Sequence, residues 1–234
     1  QPAEASCEVV RQIARFESTG SVRLLTVATL HPNQEVFQEA VDQLSRMRRP
    51  EALWWLNRAI WFQPDERAKL IRRTARKLIM AGVQPALATP KLELKIRKGY
   101  CSAIDPRGLR SLILELSQGR RETWLTSFLL SETEGIRDIT LMDHLSVQEH
   151  SQIFKEMREM AAARKISAEY ALAILRDALD AGLRNSAPPH PDMISFTWML
   201  PDEDLSPKPL HPDPRSWLPT QSDLFLDSKH WLDQ

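Results

Sequence analysis

Histidine and cysteine are the residues from which a search for catalysis or metal binding starts, and the chain has 6 His and 2 Cys. His144 and His150 are six residues apart. On a helix this spacing turns the second ring about 240° from the first, so the two cannot share a metal ion as an i, i+4 pair would. Cys7 and Cys101 are too few and too widely spaced to indicate a structural zinc site. Each histidine is therefore interpreted as a surface or capping residue.

Acidic residues lie close to one of these histidines, but they form no recognisable catalytic set. Asp138, Asp143 and Glu149 are near His144 in the sequence, and an acid-rich helix surface accounts for them without catalysis. The chain contains no G-x-S-x-G elbow and no G-x-x-x-x-G-K-[ST] or G-x-G-x-x-G phosphate loop. The sequence therefore predicts no catalytic residue, no metal and no other cofactor. An enzyme without a recognisable motif stays the lesser alternative.

Basic residues form the pattern with the clearest chemical meaning. Residues 64–81 are predicted to form a helix with proline and acids in its first turn and a glycine after its end. At 100° per residue, five cations of this helix fall within an arc of about 140°, and no acid occurs between the first and the last of them in the sequence. They are Lys69, Arg72, Arg73, Arg76 and Lys77. Such a face is either solvated or paired within the chain, or it binds phosphate backbones or an acidic protein.

Further cations and three tryptophans complete the predicted binding residues. The cations are expected to support the basic face of the helix at residues 64–81. They are Arg48, Arg49, Lys95 and Lys98, with Arg46, Lys91 and Arg97 nearby. The tryptophans are predicted to anchor a proline-rich tail in apolar pockets, either of this chain or of a partner. They are Trp198, Trp217 and Trp231.

The net charge of zero is a sum of unlike parts. Residues 46–121 carry 18 Lys and Arg against 6 Asp and Glu, whereas residues 122–234 carry 10 against 19. This asymmetry indicates either an acidic or nucleic-acid partner for the middle of the chain, or a C-terminal half that covers it. The preferred interpretation is that the acidic tail docks on the chain's own basic middle.

The basic helix follows a segment that is apolar nearly all round, which predicts a buried supporting helix. Residues 52–62 of this segment are interrupted by only two polar residues. Large rings recur seven residues apart, and the two pairs are Trp54 with Trp61 and Trp55 with Phe62. If these rings are buried, removing Trp54 or Trp61 is expected to cost about 3–5 kcal/mol. No apolar segment is long enough to cross a membrane.

Most of the chain up to residue 184 is predicted to be helical. The presence of only 7 Gly, in a body rich in Leu, Ala, Glu and Arg, argues against an all-β fold. Besides the central pair, helices are predicted at residues 4–16, 33–47, 105–119, 120–130, 136–145, 146–164 and 167–181. The helix at residues 105–119 is predicted to start with Asp105 as its cap and proline at its first position. The firmest of these starts at a capping box formed by Ser146 and Glu149.

Two segments leave the choice between helix and strand open. Residues 91–98 alternate apolar and charged side chains, which is a strand pattern, and residues 21–30 are rich in β-branched side chains, although helix is favoured there. If these segments pair, they form a small two-stranded element. The sequence thus predicts an all-α fold, with at most one minor two-stranded β element. The expected architecture is an irregular multi-helix array or bundle, followed by an extended tail rich in Pro and Trp.

The composition changes near residue 185, which indicates the boundary of the helical part. Nine of the 16 prolines lie from Pro188 onward, so long helices are not expected there. The same stretch holds too many aromatic residues for an inert linker. We therefore expect a helical domain at residues 1–184 and an acidic, proline-rich and partly ordered tail at residues 185–234.

These patterns predict a non-enzymatic helical interaction module, a subunit or adaptor of a larger assembly. Its basic helix face is expected to bind an acidic protein partner or the chain's own acidic tail. Nucleic-acid binding through the same face is the alternative. A cytoplasmic location is favoured, and an extracytoplasmic one stays open because the chain starts at Gln1; there Cys7 and Cys101 would be able to pair.

Overall fold

Helices come first in the chain and a β-sheet follows in the computed structural model, which describes residues 3–84, 94–118, 122–143, 145–187, 189–200 and 203–210. The N-terminal helices are α1 (Ala3–Ala14), α2 (Thr19–Ala28), α3 (Gln34–Met47), α4 (Pro50–Ala59) and α5 (Asp65–Met80), with a 3-10 turn at Ile60–Phe62. The strands are β1 (Lys95–Cys101), β2 (Leu109–Gln118), β3 (Glu122–Ser131), β4 (Gly135–Met142) and β5 (Arg164–Ile166). The later helices are α6 (Val147–Met160), α7 (Ala168–Arg184) and α8 (Asp192–Met199).

The five strands form one antiparallel sheet in the order β4-β3-β2-β1-β5. The prediction of an all-α fold, a helical bundle or array, is therefore wrong, because α and β structure are combined here. Strands β1 to β4 form a meander, and β5 pairs with β1 after α6 has crossed the sheet. The helix favoured at residues 21–30 is confirmed, since most of them lie in α2. The described residues of 91–98 therefore do not pair with that segment, and β1 pairs with β2 and β5.

Three of the predicted helices, at residues 105–119, 120–130 and 136–145, fall on the strands β2, β3 and β4. The physical reason is that helices cover both faces of the sheet. A strand buried on both faces has apolar residues at successive positions, a run that periodicity cannot distinguish from a buried helix. In β2 the residues from Leu112 to Leu116 are all buried.

Each face of the sheet has its own apolar cluster. On one face α6 packs against β3, where Ile113, Leu125 and Phe154 are buried together. On the opposite face α7 lies over β1 and β4, and Leu112 and Leu114 join the main core with the N-terminal helices. Side chains of β2 alternate between the two faces, as a strand requires.

Several helix starts are confirmed by their capping contacts. The side chain of Asn33 accepts hydrogen bonds from the amides of Glu35 and Val36 at the start of α3. The predicted capping box of α6 is formed, with Ser146 and Glu149 bonding to each other's backbone amides. These contacts pair amide groups that the first turn of a helix leaves without an intrahelical acceptor.

The helix α4 and the 3-10 turn that follows it bury one side of their aromatic surface. Trp55 and Phe62 are 3% and 2% exposed, whereas Trp54 and Trp61 are only partly buried. The guanidinium of Arg58 lies over both of these outer rings, 3.9 Å from the Trp54 centroid and 5.3 Å from that of Trp61. The expected cost of about 3–5 kcal/mol for removing a buried ring therefore belongs to Trp55 and not to Trp54 or Trp61.

Residues after α7 contribute to the same core as the helices and the sheet. Phe196 of α8 is fully buried and its ring meets Phe128 of β3 edge to face, with centroids 4.9 Å apart. Leu205 is fully buried as well. Residues 203–210 lie against α7, where the backbone amide of Leu210 donates a hydrogen bond to the carboxylate of Asp177 at 2.9 Å. None of the described helices is both long and apolar enough to span a membrane.

Candidate functional site

The helix α5 has a buried face and a basic face. Ala68, Ile71 and Ala75 are at most 4% exposed and pack into the protein. The five predicted cations, Lys69, Arg72, Arg73, Arg76 and Lys77, are all exposed. Since α5 is a regular helix of 16 residues, these positions fall within the arc of about 140° that helical geometry gives them.

The charges on this face are largely unneutralised. Lys69 is paired with Glu66 at 2.6 Å, a contact that raises the pKa of Lys69. Arg72, Arg73, Arg76 and Lys77 form no ion pair with any residue that the structure describes. Surface ion pairs such as that of Lys69 contribute little free energy, so all five cations are accessible to an anionic partner.

Two large apolar side chains are exposed at the C-terminal end of the same helix. Met80 is 88% exposed and Ile79 is 52% exposed. At 100° per residue Met80 falls inside the basic arc, and Ile79 lies about 20° beyond the edge formed by Arg72. The surface of α5 therefore combines cations with exposed apolar groups.

The N-terminal end of α5 is tied to the turn between α2 and α3. Arg67 donates to the carbonyl oxygens of His31 and Pro32, at 2.8 Å and 2.6 Å. Its guanidinium also lies 4.6 Å from the ring centroid of Phe37, and burial lowers the pKa of Arg67. Gln63 donates to the carbonyl oxygen of Thr29 at 2.8 Å. These contacts hold the basic face on a fixed support.

The other predicted cations have differing surroundings. Arg48 and Lys95 are exposed, and Arg48 ends α3 in the left-handed conformation. Arg49 donates to Glu51 at 3.0 Å and to the carbonyl oxygen of Glu17. Arg49 is therefore engaged in contacts between the α3–α4 joint and the end of α1.

Lys98 forms an ion pair within the chain, with a carboxylate that is not among the site residues predicted from the sequence. Glu115 of β2 is 2% exposed and lies under α6. Its oxygens are 3.0 Å from Lys98 Nζ and 3.4 Å from Arg97 Nε, so the buried charge is compensated. The sequence feature that indicates this buried carboxylate is an acid, Glu115, within the otherwise apolar run of residues 112–116.

A buried histidine completes this cluster. His150 of α6 is 9% exposed and its Nε2 lies 3.9 Å from Glu115, too far for a hydrogen bond. Burial lowers the pKa of His150, Glu115 opposes that shift, and Lys98 and Arg97 add to it. The interpretation of His150 as a surface residue is thus wrong. The arrangement can hold a neutral imidazole beside a compensated carboxylate.

Of the predicted tail anchors, Trp198 is the one within the described residues. It is half-buried against the main core, and the guanidinium of Arg23 lies 5.7 Å from its ring centroid. Arg23 also donates to the hydroxyl of Ser195 at 2.5 Å. Trp217 and Trp231 lie outside the described residues.

The remaining candidates for chemistry are separate from one another. Cys7 is buried on α1, Cys101 ends β1, and both are free thiols. Burial raises the pKa of Cys101, and Arg110 partly opposes that shift. Among the residues described, no three His, Cys, Asp or Glu side chains are grouped so that they could hold a metal ion. His144 lies outside the described residues.

Comparison of the chain with protein-family models, with curated proteins and with solved structures found no match. Its function is therefore inferred from its own surfaces and cavities.

Proposed function

We propose that the protein is a non-enzymatic interaction module, a subunit or adaptor of a larger assembly, whose α5 face binds an acidic protein surface. The observation that carries the proposal is the set of exposed cations without ion-pair partners among the described residues. These are Arg72, Arg73, Arg76 and Lys77. Like charges held side by side repel one another, and an acidic partner relieves that repulsion.

The exposed apolar side chains favour a protein over a nucleic acid. Met80 and Ile79 are exposed at the C-terminal end of α5, inside and beside the basic arc, and a polyphosphate backbone offers them no apolar contact. An acidic segment with apolar residues satisfies both components of the surface. Protein interfaces commonly pair an apolar centre with a charged rim.

The chain's own acidic tail belongs to the same chemical class of partner. Its described part, residues 203–210, contacts α7, where the carbonyl oxygen of Asp204 accepts from Arg176 at 2.5 Å. The aspartates further along the chain, such as Asp223 and Asp227, flank Leu and Phe. This segment has the composition expected of a ligand for the α5 face in cis.

Nucleic-acid binding is the second candidate, and it rests on the same five cations. The two candidates are distinguished by how strongly the binding affinity depends on salt concentration. Binding through several phosphate contacts weakens log-linearly as salt rises, by orders of magnitude between about 50 mM and 200 mM. The affinity of a complex that includes apolar contacts from Met80 and Ile79 falls less steeply as salt rises.

The test compares two double charge reversals that change the net charge equally. Arg73→Glu with Arg76→Glu alters the α5 face, and Arg15→Glu with Arg107→Glu alters cations outside that face. Fluorescence anisotropy measures binding of a labelled peptide in which Asp and Glu alternate with Leu and Phe. The α5 variant is expected to weaken binding about tenfold or more, because each reversal removes a charge-assisted contact. The control variant is expected to bind like the wild type.

A second pair of measurements separates protein from nucleic acid. Met80→Ser with Ile79→Ser should weaken the peptide complex while leaving any binding of a mixed-sequence DNA duplex unchanged. The proposal would be contradicted if both charge-reversal variants lost the same peptide affinity. It would also be contradicted if the α5 variant bound the peptide as tightly as the wild type. Tight duplex binding with a steep salt dependence and no peptide binding would favour the nucleic-acid candidate instead.

A further inference from the structure

A cleft separates the end of α2 from the β3–β4 turn and from the segment that joins α7 to α8. Its volume is about 570 Å³, within the range of small-molecule sites. Its apolar lining includes Val27, Ala28, Leu30 and Ile136. The lining is mostly apolar, and its polar side chains are few. They are His31, His190, Arg137 and Glu134.

Two histidines reach this cleft from turns with matching sequences. His31-Pro32-Asn33 precedes α3, and His190-Pro191-Asp192 leads into α8, whose first residue is Asp192. In each turn the histidine Nδ1 accepts a hydrogen bond from the amide two residues later, from Asn33 at 3.1 Å and from Asp192 at 3.3 Å. The same hydrogen bond therefore orients both rings, which line the cleft.

These turns determine which ring nitrogen carries the proton. A nitrogen that accepts an amide hydrogen has no proton of its own, so the neutral ring is protonated at Nε2. Within the described residues neither Nε2 makes a hydrogen bond; that of His190 lies 3.9 Å from Asp138, beyond bonding distance. A carboxylate oxygen of Asp192 is 3.7 Å from the Nδ1 of His190. Each histidine thus offers an unused N–H donor.

Arg137 provides the positive charge of the cleft. Its Nε is 3.0 Å from Glu134, and both side chains are about half exposed, at 47% and 58%. An ion pair this exposed contributes little free energy. A ligand carboxylate is therefore able to replace Glu134 at the guanidinium.

We infer that this cleft binds a small organic anion that has one carboxylate on an apolar body. Its carboxylate is bound by the Nε2 donors of His31 and His190 and by the Arg137 guanidinium, which all line the cleft. The carboxylates of Asp138 and Asp192 lie 3.9 Å and 3.7 Å from the nearer ring nitrogens of His190, beyond hydrogen-bonding distance. The apolar body packs against Val27 and Ile136. This site is separate from the basic face of α5, and neither proposal depends on the other.

The probe for the experiment is 2-naphthoate, with 2-naphthamide as its neutral analogue and 2-naphthylmethylammonium as the cationic one. Titration calorimetry on the full chain is expected to show saturable binding of the anion and much weaker binding of the other two. His31→Asn and His190→Asn each place an amide oxygen where Nδ1 stood. They keep the turn and remove the Nε2 donor, so each should weaken 2-naphthoate about tenfold.

Three further variants make the test independent of folding. His31→Gln keeps a donor near the Nε2 position, so it should retain most of the affinity even if the turn is weakened. Glu134→Gln frees Arg137 and is expected to tighten 2-naphthoate severalfold, a gain that a loss of folding cannot produce. Ala28→Trp fills the cleft without changing its charges and should abolish binding.

Three results would overturn the inference. They are the lack of saturable 2-naphthoate binding at millimolar concentration, equal affinity for the amide or the amine, and no gain with Glu134→Gln. The α5 variant with Arg73→Glu and Arg76→Glu should bind 2-naphthoate like the wild type. Failure of the cleft proposal is thereby distinguishable from failure of the proposal for α5.

Discussion

At the scale of single residues, a buried carboxylate determines what its basic neighbours are able to do. The clustering of charge in the sequence predicts Lys98 on a partner-binding surface, because charge alone carries no information about which face of a strand is buried. Glu115 occupies the face under α6 and pairs with Lys98 at 3.0 Å. A charge count from sequence cannot reveal such a pairing, because the two residues are brought together by the register of β1 and β2.

His150 gives this cluster a predictable dependence on pH. Burial is the main cause that lowers the pKa of His150 in the folded protein. At a pH between this lowered pKa and the pKa in the unfolded chain, the unfolded chain therefore binds more protons than the folded protein does. Stability then rises with pH across that window, and it falls as pH drops below about 6.5, the ordinary value for histidine. We expect the free energy of unfolding in urea to decrease from pH 7.5 to pH 5.5.

A variant without the imidazole isolates this effect. His150→Phe keeps a ring that can stack on Phe154, whose centroid is 5.8 Å from that of His150, and removes the titrating group. Its stability should change less over the same pH range. The carboxylates whose pKa is lowered by arginine partners, Glu39 and Glu51, lose their contribution only at more acid pH. Parallel curves for variant and wild type would show that another group is responsible.

At the scale of elements, the sequence identified helices that carry their own start signals. The caps of α3, α6 and α7 are local, since Asn33, Ser146 and Ser167 bond to amides two or three residues later. The amphipathic stripe of α5 is equally local. These features are set by spacing along the chain and do not require knowledge of what the helix packs against.

The strands were misassigned because their signals depend on distant neighbours. Asp105 was interpreted as a helix cap, but its carboxylate accepts the amides of Arg107 and Leu109 in a turn that leads into β2. Gly108 and Gly135 both have a φ of 75°, as glycines of tight turns do. These two turns enclose β2 and β3, and such glycines on either side of a stretch with Ser and Thr were the available evidence for a meander.

Gly135 is the position where this meander meets α7, and it tolerates no larger residue. A Cβ there would lie 2.4 Å from the carbonyl oxygen of Ala178 and 2.9 Å from the Cα of Gly182, and the φ of 75° is itself unfavourable for alanine. Because both obstacles are backbone atoms, relief requires α7 to move. Gly135→Ala is expected to cost about 3 kcal/mol or more in chemical denaturation.

Gly182→Ala is the matched control on the opposite side of this contact. A Cβ at that position would meet carbonyl oxygens no closer than 3.4 Å, and alanine is the better helix former. Its stability should stay within about 1 kcal/mol of the wild type. If Gly135→Ala lowers stability no more than Gly182→Ala does, the β3–β4 turn does not pack against α7 as closely as described.

At the scale of the whole molecule, α8 connects the helical layer to the sheet. Composition alone suggested an extended course for this stretch because prolines flank it, but the eight residues of Asp192–Met199 between those prolines form a helix. Its side chains reach both parts of the protein. Phe196 contacts Phe128 of β3, and Ser195 accepts from Arg23 of α2. Sequence patterns cannot reveal a helix that is buried by two layers at once, because it has no polar face to give it a period.

This position of α8 predicts that the helical layer and the sheet unfold together. Phe196→Ala removes a fully buried ring and should cost about 3–5 kcal/mol, whereas Phe16→Ala removes a ring that is 77% exposed and should cost about 0.5 kcal/mol or less. Because Phe196 belongs to the core that both layers share, the loss should lower one common transition. Hydrogen exchange of the α4 amides and of the β2 and β3 amides should therefore give the same midpoint in denaturant. Separate midpoints for α4 and for the sheet in the Phe196 variant would show that the two layers fold independently and that α8 merely lies between them.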